Sequence, residues 1–136
     1  MQDDKYFLSK IRLKNALNYI NTAKHLVEFG DYKTAENRAY YAVFHCMRAV
    51  LALDGVDRRK HSGVISEFRH RYIKTNIFDN ELSEIVSDTS LARQNSDYDD
   101  LYVTDYEKAV AQISNAEIFY RDISEYLTKI YETKEC

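Results

Sequence analysis

One polar line of side chains crosses an otherwise apolar helical segment, residues 31–53. Arg38, Tyr41, His45 and Arg48 recur there at steps of three and four, so they share one face of a helix. A histidine can move a proton near neutral pH, and an arginine can bind a phosphate through two donors. This face therefore suits a phosphate-bearing ligand or a partner surface.

A further arginine, Arg93, follows a predicted fourth helix, and Tyr98 lies five residues later in a predicted loop. If the second and fourth helices pack together, Arg38, His45, Arg93 and Tyr98 form one composite site. Tyrosine is a poor base at neutral pH, since its reference pKa is about 10. The alternative is a hydrogen-bonded network that stabilises the core or a dimer interface.

A basic patch follows the central segment, and phosphate backbones are the ligands such a patch binds without reading sequence. Its candidate nucleic-acid or phosphate contacts are Arg58, Arg59, Lys60, His61 and Arg69, with His70, Arg71 and Lys74 nearby. The N-terminus of the helix that begins near Ser62 could also hold one phosphate. An ordinary exposed loop and helix face is the equal alternative.

Several common chemistries lack their sequence signatures here. The chain has no Gly-rich phosphate loop, no His-Glu-x-x-His, no Cys-x-x-Cys and no Gly-x-Ser-x-Gly. It also lacks the two Glu-x-x-His motifs on facing helices that di-iron bundles use. The four histidines have no metal-site spacing, so we predict neither a metal nor a cofactor.

The 136 residues include no Pro and only 3 Gly, and this scarcity favours a few long helices over a multi-strand fold. We predict a single domain, residues 1–136, that is an all-α, up-and-down four-helix-type bundle with one additional short helix. No stretch is apolar enough for a membrane span, and no secretory signal begins the chain. Two cysteines, Cys46 and Cys136, do not make a disulfide framework. We therefore expect a cytoplasmic protein without a membrane partner.

The charges are unevenly distributed, although the net charge is only −3. Residues 1–75 hold 14 Lys and Arg against 8 Asp and Glu, whereas residues 76–136 hold 5 against 14. The two halves can neutralise each other within the bundle, or the first half can present a basic surface to an anionic partner.

The predicted helices are long and have recognisable ends. They span about residues 3–29, 31–53, 62–74, 79–92 and 104–131, with a polar loop at 94–103. Gly30 is the expected stop of the first helix, and Asp31 the cap of the second. Asp3 or Asp4 should cap the first helix and Asp79 the fourth, while Thr104 and Glu107 should form a capping box on the fifth. The first helix should face inward with Tyr6, Leu13, Leu17, Ile20 and Val27, and the fifth with Tyr106, Ile113, Tyr120 and Leu127.

Three patches in order along the chain carry a family resemblance. Residues 37–45 read NRAYYAVFH, residues 60–63 read KHSG and are followed by Phe68, and residues 91–98 read LARQNSDY. They resemble the R-A-Y-Y-A-x-F-H, K-H-x-G and R-x-x-x-D-Y patches of small prokaryotic HEPN-domain proteins.

The resemblance implies an all-helical bundle that dimerises and serves a prokaryotic toxin–antitoxin or defence module, often beside a minimal nucleotidyltransferase. Active members of the family are metal-independent endoribonucleases whose motif is Arg, four to six residues, then His. Arg93 stands at the place of that Arg, but no His follows it. In some two-gene systems the nucleotidyltransferase modifies a Tyr near the motif, and Tyr98 is the candidate here.

Three functions follow from these features. The leading one is a HEPN component that binds RNA or a nucleotide and a partner nucleotidyltransferase. An active metal-independent ribonuclease, using Arg93 with Tyr98 or with His45, is the first alternative. A non-catalytic helical scaffold is the second.

Overall fold

The computed structural model describes the backbone of residues 2–135 and the side chains of residues 4–133. Within that range the chain forms five α-helices and one π-helical turn, and no strand occurs. The helices are α1 (Gln2–Phe29), α2 (Tyr32–Leu53), α3 (His61–Phe68), α4 (Asn80–Tyr98) and α5 (Tyr106–Glu135), and the π-helical turn is Arg69–Ile73. The predicted all-α class is confirmed.

The long helices alternate in direction. Ser9 near the start of α1 donates to the carbonyl of Ala49 near the end of α2, and its hydroxyl also lies 2.5 Å from that of Tyr131 near the end of α5. Asn37 near the start of α2 contacts Asp97 at the end of α4. Thus α1 and α4 run one way, and α2 and α5 run the other, as in an up-and-down bundle.

The second helix is the centre of the bundle, as its nearly all-apolar circumference predicts. It packs against α1, α3, α4 and α5. Its fully buried residues include Tyr40, Val43, Met47 and Val50. Gly30 has the left-handed φ of +92° that ends α1, and the Asp31 carboxylate accepts from Thr34 N at 3.2 Å to cap α2. Both predictions are confirmed.

Several predicted boundaries are wrong. The fourth helix continues to Tyr98, so the loop predicted from residue 94 begins only after it. Pairing of Arg93 with Asp97 one turn later helps to keep this polar end helical. The third helix is shorter than predicted, because its backbone widens into the π-helical turn after Phe68.

The capping predictions have mixed outcomes. Asp105, not Thr104, caps α5 by accepting from Lys108 N at 2.8 Å. The Thr104 hydroxyl is instead turned towards Glu36. Asp79 stands at the N-cap of α4 but makes no side-chain capping bond, and α1 already begins at Gln2, before Asp3 and Asp4.

The predicted inward stripes are largely correct. On α1, Leu13 and Ile20 are buried, but Leu17 is exposed, and Ser9 and Arg12 take inward positions instead. On α5, Ile113 and Leu127 are buried, whereas Tyr106 is exposed at the start of the helix. On α4, the residues that face the core are Leu82, Ile85, Val86 and Thr89, and all four are buried.

Candidate functional site

Arg93 is the arginine that joins α4 to the central helix. Only 13% of its side chain is exposed. Its Cζ lies 4.8 Å from the ring centroid of Tyr40 and 6.0 Å from that of Tyr98. Its Nη1 lies 3.5 Å from a carboxylate oxygen of Asp97. The guanidinium group is therefore held between an aromatic face and a carboxylate.

A short polar network links Arg93 to Arg38. Asn37 Nδ2 donates to both oxygens of Asp97, at 2.9 and 3.0 Å. Arg38 Nη1 donates to the Asn37 side-chain oxygen at 3.1 Å. The two arginines therefore lie at the two ends of one network within a single chain.

His61 lies beside Tyr40, the tyrosine that Arg93 also contacts, although its position in the sequence groups it with the basic linker. Its Nδ1 lies 2.9 Å from the Tyr40 hydroxyl, and its ring stacks on Phe44 with 4.2 Å between centroids. Burial lowers the pKa of His61, and the positive charges of Arg93 and Arg48 lower it further. Burial also raises the pKa of Tyr40 to about 12.

His45 lies further along the same face of α2. Its ring stacks on Tyr19 of α1 with 5.1 Å between centroids. Its pKa is lowered to about 4, first by burial and then by the charges of Arg48, Arg12 and His61. The ring is therefore neutral at pH 7.

Arg12 is a member of this site that the sequence analysis missed. It is only 6% exposed, and its Nη1 donates to the backbone carbonyl of Arg48 at 3.1 Å. Arg12 and Arg48 share one carboxylate, that of Asp57, at 3.3 and 3.2 Å. Burial lowers the pKa of Arg12, as does the neighbouring Arg48. A lone arginine next to the inward Leu13 is the only signal in the sequence, and helix periodicity alone cannot separate it from a surface residue.

These residues form one positively charged region, which we name the cationic cluster. Its members are Arg12, Arg38, Arg48, Arg93, His45 and His61. Three buried side-chain nitrogens among residues 4–133 have no hydrogen-bond partner, and all three belong to it: His45 Nδ1, Arg48 Nε and Arg93 Nε. Buried polar atoms are nearly always paired in folded proteins, so this concentration marks the cluster as a candidate ligand site.

The basic linker has a different character, because acids and serines already engage much of it. Glu67 pairs with Arg58 at 2.9 Å and with Arg71 at 2.8 Å. Arg69 donates to the Ser83 hydroxyl and carbonyl and to the Ser87 hydroxyl, at 2.7–3.1 Å. Arg59 and Lys60 are exposed.

Tyr98 and Tyr102, which flank the start of the loop between α4 and α5, have different surroundings. Tyr98 is the last residue of α4 and is 75% exposed. The Tyr102 hydroxyl donates to Glu36 at 2.8 Å, and Thr104 donates to the other oxygen of the same carboxylate. Glu36, which is only 1% exposed, thus fastens the loop to α2. Nothing in the sequence distinguishes Glu36 from the other acidic residues of the chain.

Two further properties concern metals and membranes. Among the residues that the structure describes, no group of three His, Cys, Asp or Glu side chains is placed to hold a metal ion. No helix in the same part of the chain has both the length and the apolar character that crossing a membrane requires.

The fold and the site together define a class of protein: an all-helical bundle that carries arginines and histidines along one face of its central helix. The model of the HEPN domain matches residues 9–130. The chain belongs to the HEPN-domain family.

Named relatives are of similar length. Two candidate toxins of Methanocaldococcus jannaschii are 31% and 32% identical over 115 and 111 residues, which are 85% and 82% of this chain and 78% and 82% of theirs. A UPF0332 protein of Thermotoga maritima is 31% identical over 106 residues, 78% of this chain and 80% of its own.

Proposed function

We propose that this protein is the HEPN component of a prokaryotic toxin–antitoxin or defence module, and that its cationic cluster binds RNA or a nucleotide through phosphate groups. In this proposal the protein acts in the cytoplasm as a homodimer, and a nucleotidyltransferase is its partner. Family membership and the two relatives named as candidate toxins support the biological setting.

The observation that carries the proposal is the excess of arginines over carboxylates in the cluster, where, within residues 4–133, Arg12, Arg38, Arg48 and Arg93 have only Asp57 and Asp97 as ion-pair partners. Arg12 and Arg48 share the single carboxylate of Asp57, and the Nε atoms of Arg48 and Arg93 have no partner. Guanidinium groups bind phosphate oxygens through paired donors, and such charge-assisted bonds are stronger than neutral ones. The partly exposed guanidinium groups of Arg38 and Arg48 would offer such donors to an approaching phosphate.

RNA binding can be measured by fluorescence anisotropy with a labelled single-stranded RNA. Arg93→Ala should weaken binding about tenfold or more, since a hydrogen bond to a charged group contributes roughly 1.5–3 kcal/mol. Arg121→Ala is the matched control, because Arg121 is exposed on α5 and donates only to its neighbour Asp122. Arg48→Gln provides a second test if Arg93→Ala does not fold. Unchanged binding in both cluster variants would refute the proposal.

A metal-independent ribonuclease is the second candidate, and the state of the two histidines favours it. His45 and His61 both have lowered pKa values, so they are neutral at pH 7, as a general base for a ribose hydroxyl must be. Purified protein should then cut RNA in the presence of a chelator. His45→Asn, His61→Asn and Tyr98→Phe would identify the group that Arg93 assists. No cleavage by pure, folded protein would exclude this candidate.

The partner can be tested separately from the ligand. Co-expression with the product of the adjacent gene, followed by size-exclusion chromatography, should give a complex if that gene encodes a nucleotidyltransferase. The same column reports whether the protein alone is a dimer. A protein that binds neither RNA, nucleotide nor partner would be a non-catalytic scaffold.

A further inference from the structure

Asp97 is the acidic residue that faces Arg93. Its carboxylate lies 3.5 Å from Nη1 of Arg93, and Arg93 is one helical turn earlier on α4. Both of its oxygens accept from the Asn37 amide. A carboxylate and a phosphate offer similar paired oxygens to a guanidinium group. Asp97 and a phosphate ligand therefore compete for the same donors.

The segment that carries Asp97 is fastened to α2 at two adjacent positions. Asn37 holds Asp97, and Glu36 holds the Tyr102 and Thr104 hydroxyls. The chain between these contacts comprises the end of α4 and the exposed residues that follow it. This arrangement keeps the carboxylate beside Arg93 and gives it a high effective concentration there.

The two contacts of Asp97 differ in what they require. The ion pair with Arg93 needs the negative charge, whereas an Asn at position 97 would still accept from Asn37. Asp99 and Asp100 follow immediately and are exposed, as Asp97 is, but among the described residues neither makes an ion pair or hydrogen bond with the cluster; the Asp99 carboxylate accepts from Leu101 N. The charge of Asp97 can thus be removed without removing the neighbouring acids.

We propose that Asp97 is an internal anion that occupies Arg93 in the free protein, and that a phosphate-bearing ligand binds by displacing it. This inference rests on the proposed function of the cationic cluster. It makes Asp97 and Asn37 the residues that set how readily the site accepts an anion. Affinity is then limited by the exchange of one anion for another, as well as by the number of arginines.

The test compares Asp97→Asn with Asp100→Asn, which removes the same charge three residues away. Binding is measured with a labelled single-stranded RNA by anisotropy, and with inorganic phosphate by its effect on the Arg93 Nε–H NMR signal. Asp97→Asn should tighten binding about two- to fivefold more than Asp100→Asn, because a partly exposed ion pair between neighbouring turns of α4 no longer has to be broken. Asn37→Ala should act in the same direction and add little to Asp97→Asn.

The outcomes separate this inference from the function on which it rests. If wild-type protein binds RNA and Arg93→Ala abolishes binding, but Asp97→Asn is no tighter than Asp100→Asn, only the role of Asp97 is refuted. If Arg93→Ala binds like the wild type, the proposed site itself is wrong. If neither wild-type protein nor Asp97→Asn binds RNA or phosphate, both are overturned.

Discussion

The guanidinium group of Arg93 lies over the ring of Tyr40, with 4.8 Å between Cζ and the ring centroid. The hydroxyl of that tyrosine bonds His61 Nδ1. One buried aromatic side chain of α2 therefore connects the end of α4 to the start of α3. The positive charge of Arg93 and the protonation of His61 are coupled across it.

Removing the charge of Arg93 should raise the pKa of His61. Burial is the main cause of the lowered pKa, and the charge of Arg93 is the next, so Arg93→Met should bring a partial return towards 6.5. Proton NMR of the histidine ring signals across a pH titration measures this directly. Arg121→Met is the control and should leave His61 unchanged. A pKa that stays the same in Arg93→Met would mean that solvent screens this pair.

His45 should make the protein less stable as the pH falls from about 6.5 to about 4. Its pKa in the folded protein is about 4 against 6.5 in the unfolded chain, so the unfolded chain binds the proton first. The loss should be about 2 kcal/mol once solvent screening of a half-buried ring is allowed for. Urea unfolding at several pH values measures it.

His45→Phe should flatten that pH dependence, since a phenyl ring can keep the stack on Tyr19 without titrating. His61, whose pKa is also lowered, will leave a smaller slope of the same sign. His25→Asn is the control, because it removes an exposed histidine of α1. A His45→Phe profile that parallels the wild type would contradict the depressed pKa.

The fold could be predicted because its determinants are local. The apolar circumference of α2, the left-handed Gly30 and the capping Asp31 each act within a few residues of themselves. The end of α4 could not be predicted, because its polar residues read as loop. A contact between Asp97 and Asn37, which lies sixty residues earlier in the chain, helps to keep the backbone at Asp97 helical.

The candidate site was only partly predictable for the same reason. Arg38, His45 and Arg93 stand out by type and spacing, but their surroundings depend on which helices pack together. His61 reads as part of a basic linker, and only the packing of α3 on α2 brings it to Tyr40 and Phe44. From the sequence Arg12 would be expected at the surface, and only the packing of α1 against α2 shows that it is buried.

Glu36 should be needed to hold the loop between α4 and α5. Glu36→Ala removes the acceptor for the Tyr102 and Thr104 hydroxyls, which should lower the free energy of unfolding by about 2 kcal/mol. Hydrogen exchange of the loop amides should rise at residues 99–105 more than elsewhere. Glu125→Ala, on the exposed face of α5, should change neither quantity. Equal exchange in the loop of Glu36→Ala and wild-type protein would contradict this role.

Substitutions of Arg69 and Arg59 should distinguish a residue of the basic patch that stabilises the fold from one that contacts the ligand. The Arg69 guanidinium group donates hydrogen bonds to Ser83 and Ser87 of α4. Arg69→Ala should therefore lower the free energy of unfolding by about 1–2 kcal/mol and leave RNA affinity nearly unchanged. Arg59 is exposed, so Arg59→Ala should leave stability unchanged and reduce both RNA affinity and its salt dependence slightly. Urea unfolding and anisotropy at two salt concentrations measure the four quantities. A large loss of RNA affinity in a folded Arg69→Ala protein would mean that phosphate displaces the serines, which would extend the ligand surface from the cationic cluster to the π-helical turn.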